Sequence, residues 1–180
     1  MVEQEMRPLQ TNDVNLLPGE LLEDIDATSQ WIYDDINNGV YAVGFAGSQQ
    51  AYEEAFDALF EALDRVELRL EQHRYVCGDR FTEADLRLFP TLIRFDAVYY
   101  SHFKCSLRRI ADYPNLGNYL RDIYQMPGVA ETVHIDYYKL GYMGRSERLN
   151  PSQIIPKGPD LALGAPHDRE RLMPLKLASW

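Results

Sequence analysis

Apolar positions recur at helical spacing along most of the chain. From Glu20, the residues Leu21, Ile25, Ile32 and Ile36 share one stripe, and "NNG" at Asn37 to Gly39 predicts a C-terminal stop. The short "VYAVGFAGS" follows, reading as a glycine-flanked turn, and Ser48 then caps a long helix in which Tyr52, Ala55, Phe56, Leu59, Leu63, Val66 and Leu70 face one way. A third block starts in "GDRFTEADLRLFPTLIRFDAVYYSHFKC". Thr82 as N-cap can accept from the backbone N–H of Asp85, while the Asp85 carboxylate reaches back to the N–H of Thr82, a reciprocal capping box. Phe81 and Leu86 are placed for a hydrophobic staple, and Leu86, Phe89, Ile93, Ala97 and Tyr100 predict the buried stripe of a central helix that Pro90 bends. Another helix runs through "NLGNYLRDIYQM", with Asp112 near its start and Pro127-Gly128 at its end, and a last short one covers "VAETVHIDYYKLGY". Strand patterns are almost absent, so the expected fold is all-α, a bundle of about five or six helices.

The flanks read differently. Residues 1–16 show no period and predict a lead-in or linker, residues 17–143 the helical domain, and residues 144–180, punctuated by Pro and Gly, a C-terminal tail. A formal net charge of -10 argues against nucleic acid, because a phosphate binder needs clustered Lys and Arg. The same sign disfavours an anionic membrane, and the first residues lack the basic start and apolar centre of a signal peptide, so a cytoplasmic protein is expected. Cys77 and Cys105, the only cysteines, form no CxxC pair and read as free thiols.

Candidate chemistry is sparse. His102 and Cys105 stand one helical turn apart, but no further ligand is spaced to complete a metal site, and a partly buried structural pair is the simpler reading. Asp85 and Asp96 are about 16 Å apart along a helix axis, too far to work on one bond. Capping accounts for Asp85, and an ion-paired or surface role is expected of Asp96. The twelve tyrosines offer more, with Tyr41 in "NNGVYAVGF" and Tyr137, Tyr138 and Tyr142 in "HIDYYKLGY". A packed phenol with a free hydroxyl can hydrogen-bond a quinoid oxygen while its ring stacks on the ligand, although tyrosines that merely pack are the commoner case.

The capping box before a long apolar helix resembles that of the sixth helix in the glutathione transferase C-terminal domain. Together with "WIYDDINNGVYAVGFA", "QQAYEEAFDALFEALDRVELRL", "LIRFDAVYYSHFKC", "RRIADYPNLGNYLRDIYQMPGVAETV" and "LNPSQIIPKGP", it is similar to the glutathionyl-hydroquinone reductases, the xi-class glutathione transferases. The resemblance runs from about Leu17 to His167. It implies a glutathione transferase C-terminal-like helical bundle, a homodimer formed through such domains, glutathione as co-substrate without a metal, and a quinone or hydroquinone as the small-molecule partner. Tyr41 and Tyr142 match the tyrosines that contact the quinoid ring, whereas Cys105 matches a cysteine that is not catalytic. In that family the attacking thiol stands in a Cys-Pro-Trp-Ala motif on a thioredoxin-like N-terminal domain. The sequence contains no such motif, so no catalytic residue is expected here and the thiol domain is expected elsewhere, ahead of a misassigned start, on a separate chain, or lost with a truncated gene. A non-catalytic helical binding or dimerisation module is the alternative.

Overall fold

The computed structural model describes residues 14–172, and the sequence expectations for 1–13 and 173–180 lie outside them. The described residues form helices and connecting segments with no strand, as the patterning predicts. Helix α1, Leu22–Trp31, continues as a π-helical stretch, Ile32–Asn37, and α2, Gly39–Gly44, follows after a single residue. The "NNG" sequence therefore does not stop the chain. Asn38 keeps helical dihedrals (φ -84°, ψ -28°), and the expected turn around Tyr41 is itself helical. Gly39 packs on the next helix, where a Cβ would make ordinary contact with Leu59 at 3.4 Å.

Helix α3, Gln49–Gln72, is capped by the Ser48 side chain, which accepts from Ala51 N at 3.2 Å, and it buries Leu59, Phe60, Leu63, Val66 and Leu70. Its 24 residues span about 36 Å at 1.5 Å per residue, long enough to contact both α2 and α5. Helix α4, Glu83–Arg94, runs on through a π-helical stretch, Phe95–Tyr99, to His102. The capping box at Thr82 forms as the sequence suggests. Phe89, Ile93 and Ala97 are buried, but Leu86 is 49 % exposed. The inward face at this end belongs to Ala84, Asp85 and Leu88 instead, and Phe81 rests edge-on against Tyr75. Pro90 lies inside α4 without ending it. Its missing N–H frees the Leu86 carbonyl on the exposed side, where water can hydrogen-bond it.

Helix α5, Pro114–Tyr124, opens with proline at its first position, and Glu67 of α3 caps it from outside, accepting from Asn115 N at 2.9 Å and Leu116 N at 2.7 Å. The short turn Ile110–Asp112 precedes it. Asp96, expected at the surface, is instead 7 % exposed and caps that turn, accepting from Ile110 N at 2.7 Å and Ala111 N at 3.1 Å. Helix α6, Ile135–Met143, completes the bundle.

The segment after α6 is irregular but held by polar contacts. Lys139 donates to the Pro156, Lys157 and Gly158 carbonyls at 3.3, 3.2 and 2.8 Å, and Gln125 donates to those of Leu163 and Ala165. Further on, Arg169 is fully buried and donates to the His73 and Arg74 carbonyls, while His167 Nε2 lies 3.6 Å from Asp122, itself paired with buried Arg74.

Candidate functional site: a chain of phenols

Three helices bring tyrosines together. Tyr41 comes from α2, Tyr99 from the π-helical end of α4, and Tyr142 from α6. The hydroxyls of Tyr41 and Tyr142 are 2.6 Å apart and those of Tyr142 and Tyr99 3.0 Å, so the three form one hydrogen-bonded chain. Tyr99 is buried at 1 % exposure, whereas Tyr41 is 38 % exposed. The chain thus runs from the interior to the surface.

The π-helical stretch fits this placement. An i to i+5 turn shifts the register of the residues that follow, and such bulges concentrate at functional positions. Beneath the phenols lies an aromatic floor. Phe103 has ring centroids 5.4 Å from Tyr41, 5.3 Å from Tyr99 and 5.9 Å from Tyr142, and Phe45 sits 5.2 Å from Phe103 at the exposed rim. Gly44 makes room for that floor: a Cβ there would meet Phe103 Cγ, with Cδ1 at 2.7 Å and Cβ at 2.8 Å.

Arg94 closes the buried end. Its guanidinium lies 4.8 Å from the ring centroid of Tyr138 and interacts electrostatically with the Tyr99 and Tyr142 phenols. Either hydroxyl of each pair can donate, and Tyr41 carries the exposed end of the chain. Burial raises the Tyr99 pKa and also that of Tyr142, so both stay protonated and neutral near pH 7. What the arrangement offers a ligand is a hydrogen-bond donor beside exposed aromatic surface.

The other residues singled out in the sequence lie apart from this chain. Asp85, fully buried, accepts from Thr82 N at 2.8 Å, Thr82 Oγ1 at 3.0 Å, Val76 N at 3.0 Å and Tyr119 Oη at 2.8 Å. These contacts tie the start of α4 to the loop before it and to α5. Cys105 is fully buried and Cys77 nearly so, and burial pushes their thiols up to about 12 and about 11. Such thiols are poor nucleophiles at neutral pH. His102 stacks on Phe103, with ring centroids 5.4 Å apart, and burial lowers its pKa. Among the described residues no group of three or more His, Cys, Asp or Glu could hold a metal ion, and no helix is long and apolar enough to cross a membrane. Sequence reasoning singled out Tyr41 and Tyr142 but missed Tyr99, Phe103 and Arg94. The available signal was Phe95, Tyr99 and Phe103, aromatic at every fourth position.

Residues 49–122 match the family model of the glutathione S-transferase C-terminal domain. The chain is 53 % identical over 153 residues to the glutathionyl-hydroquinone reductase YqjG of Escherichia coli strain K12, a match covering 85 % of this chain and 47 % of that protein. It is 48 % identical to the glutathionyl-hydroquinone reductase PcpF of Sphingobium chlorophenolicum, covering 82 % of this chain and 49 % of the relative. Among solved structures, glutathione-bound YqjG superposes with a TM-score of 0.89 at 50 % identity, covering 92 % of this chain and 54 % of the other. The xi-class glutathione transferase from Natrialba magadii superposes with a TM-score of 0.92 at 44 % identity, covering 94 % and 52 %. The chain spans about half the length of the curated relatives it matches.

Proposed function

Since the chain belongs to the glutathionyl-hydroquinone reductases, the xi-class glutathione transferases, through their C-terminal helical domain, we propose that it supplies the hydroquinone-binding half of a glutathione-dependent enzyme that reduces glutathionyl-hydroquinones to hydroquinones. The observation that carries this reading is the phenol chain ending in the exposed Tyr41. Tyr41 and Tyr142 hold an oxygen of the quinoid ring, and the exposed Phe45, backed by buried Phe103, gives the ring an aromatic surface.

The reaction needs a thiolate, which attacks the glutathionyl sulfur. An S–S bond forms, the bond from sulfur to ring carbon breaks, and the ring carbon takes up a proton. A second glutathione then displaces the first as glutathione disulfide. The phenols fit the binding side of this scheme, because Tyr99 and Tyr142 stay neutral at neutral pH and keep hydroxyls able to hydrogen-bond a ligand oxygen. The thiolate is assigned to a thioredoxin-like domain outside this sequence, since both thiols here are buried and strongly disfavoured as thiolates. We further assign residues 17–143 as the helical domain and residues 144–180 as a tail, and place the protein in the cytoplasm as a homodimer.

A thiol-transfer assay tests the division of labour. The 180-residue chain, incubated with glutathione and glutathionyl-menadiol, is expected to release no menadiol above the protein-free control. Release that disappears on replacing Cys77 or Cys105 with serine would overturn the assignment.

A further inference from the structure

Behind Tyr142, on the side of Arg94, lies a cavity of about 270 Å³ lined by Arg94, Tyr137, Tyr138, Gly141 and Tyr142. Its lining contains a guanidinium and three phenols and no carboxylate. The chain has 28 acidic residues, and Arg69, Arg74, Arg80, Arg87, Arg108, Arg109 and Arg171 all pair with one. Arg94 takes part in none of the ion pairs among the described residues. Its face lies on the Tyr138 ring, and its buried Nε has no acceptor among the described residues. Arg65, Arg121 and the buried Arg169 also lack an ion pair among the described residues, but only Arg94 presents its unpaired guanidinium to this cavity, where an anionic ligand can meet it.

We propose that this cavity is a subsite for an anionic substituent, a carboxylate or sulfonate, carried on the aromatic ring of the substrate. The inference rests on the ring-binding role of the tyrosines given above. Tyr142 belongs to both places, since its hydroxyl bonds Tyr41 and Tyr99 while its side chain forms a wall of the cavity. A ring held by its oxygen at Tyr41 and Tyr142 can therefore direct a substituent past Tyr142 toward the guanidinium. Arginine suits the task because its planar fork of N–H groups matches two carboxylate oxygens. Tyr137, 71 % exposed, can add a further donor, while the Tyr138 hydroxyl donates to the Thr132 carbonyl at 3.4 Å. A lining with a cation and no carboxylate discriminates in favour of anions, because a neutral substituent leaves the cation unanswered.

Anaerobic calorimetric titration of the chain with hydroquinone, 2,5-dihydroxybenzoate and the methyl ester of that acid at pH 7 and low ionic strength tests this. The acid is expected to bind about tenfold tighter than its ester, on the scale of one charge-assisted hydrogen-bonded pair. Arg94→Gln should bring the acid to the affinity of the ester, and Arg94→Lys should keep part of the preference. Equal affinity of acid and ester for the unaltered chain would overturn the subsite while leaving ring binding intact, and so would a preference that survives Arg94→Gln. Failure of all three compounds to bind would overturn the ring-binding reading and the subsite with it.

Discussion

Replacing Asp85 with alanine exposes how much of the fold hangs on one buried carboxylate. Its two oxygens accept from the backbone of Thr82 and of Val76 and from the hydroxyls of Thr82 and Tyr119, at 2.8 to 3.0 Å. The substitution leaves four donors facing a space that was sealed, since Asp85, Thr82 and Tyr119 are all at 0 % exposure. Loss of a hydrogen bond to a charged acceptor costs about 1.5–3 kcal/mol, and a stranded donor about 1–3 kcal/mol. Relaxation of the loop and rotation of the two hydroxyls recover part of that, while removal of a charge held against its desolvation offsets another part. A net loss of roughly 3–4 kcal/mol results, a large fraction of the ~5–15 kcal/mol that holds a domain folded. Asp85→Asn should cost somewhat less, because one oxygen survives but the amide nitrogen then faces a donor. Urea unfolding followed by circular dichroism at 222 nm measures both, and in the Tyr119→Phe background the Asp85→Ala cost should shrink, since one stranded donor is already gone. A loss below about 1 kcal/mol for Asp85→Ala would refute the reasoning.

Three further outcomes follow from the same geometry. Gly44→Ala should destabilise the chain by about 1–3 kcal/mol, the usual cost of overpacking, because the new Cβ runs into the buried Phe103 ring, and the change should also shift the Tyr41 and Tyr142 signals in NMR spectra; an unshifted melting temperature would count against it. With thiols near 11 and 12, Cys77 and Cys105 should be alkylated by iodoacetamide at pH 8 no faster than the chain unfolds, whereas fast labelling of the folded chain would contradict the burial. Burial, followed by the nearby Lys104, lowers the His102 pKa from its ordinary value of 6.5. Its contribution to stability is therefore fully present above 6.5 and is lost as the pH falls through the folded-state value, which an NMR titration of the ring proton should place below 6.5; a midpoint at or above that value would sink the assignment.

Much of this was legible in the sequence where the controlling interactions are local. The helix from Gln49 to Gln72 follows from one apolar stripe and a serine cap, and the Thr82–Asp85 box from four consecutive residues. Features set by tertiary contact were not legible. Asp96 is buried because the backbone of Ile110 and Ala111 folds back to meet it, and nothing near Asp96 in sequence announces that. The outward placement of Leu86 follows from Asp85 turning inward to Tyr119 and Val76, a preference that a purely apolar stripe ignores. "NNG" fails as a stop because the π-helical stretch before it lets the chain re-enter a helix without a left-handed residue. Another such stretch hid Tyr99, since a 3.6-residue period no longer projects the correct face beyond Phe95. Arg169, fully buried, sits in a stretch whose prolines and glycines look like those of an exposed tail, and only its carbonyl acceptors at His73 and Arg74 reveal its role.

The account depends most on the phenol chain binding a hydroquinone, and anaerobic calorimetry with menadiol on the unaltered chain, Tyr41→Phe and Tyr41→Phe/Tyr142→Phe measures that directly. Loss of one neutral hydrogen bond of about 0.5–1.5 kcal/mol predicts a dissociation constant two- to twelvefold higher for Tyr41→Phe, and a larger increase for the double variant. Affinities that are the same for all three proteins would contradict it.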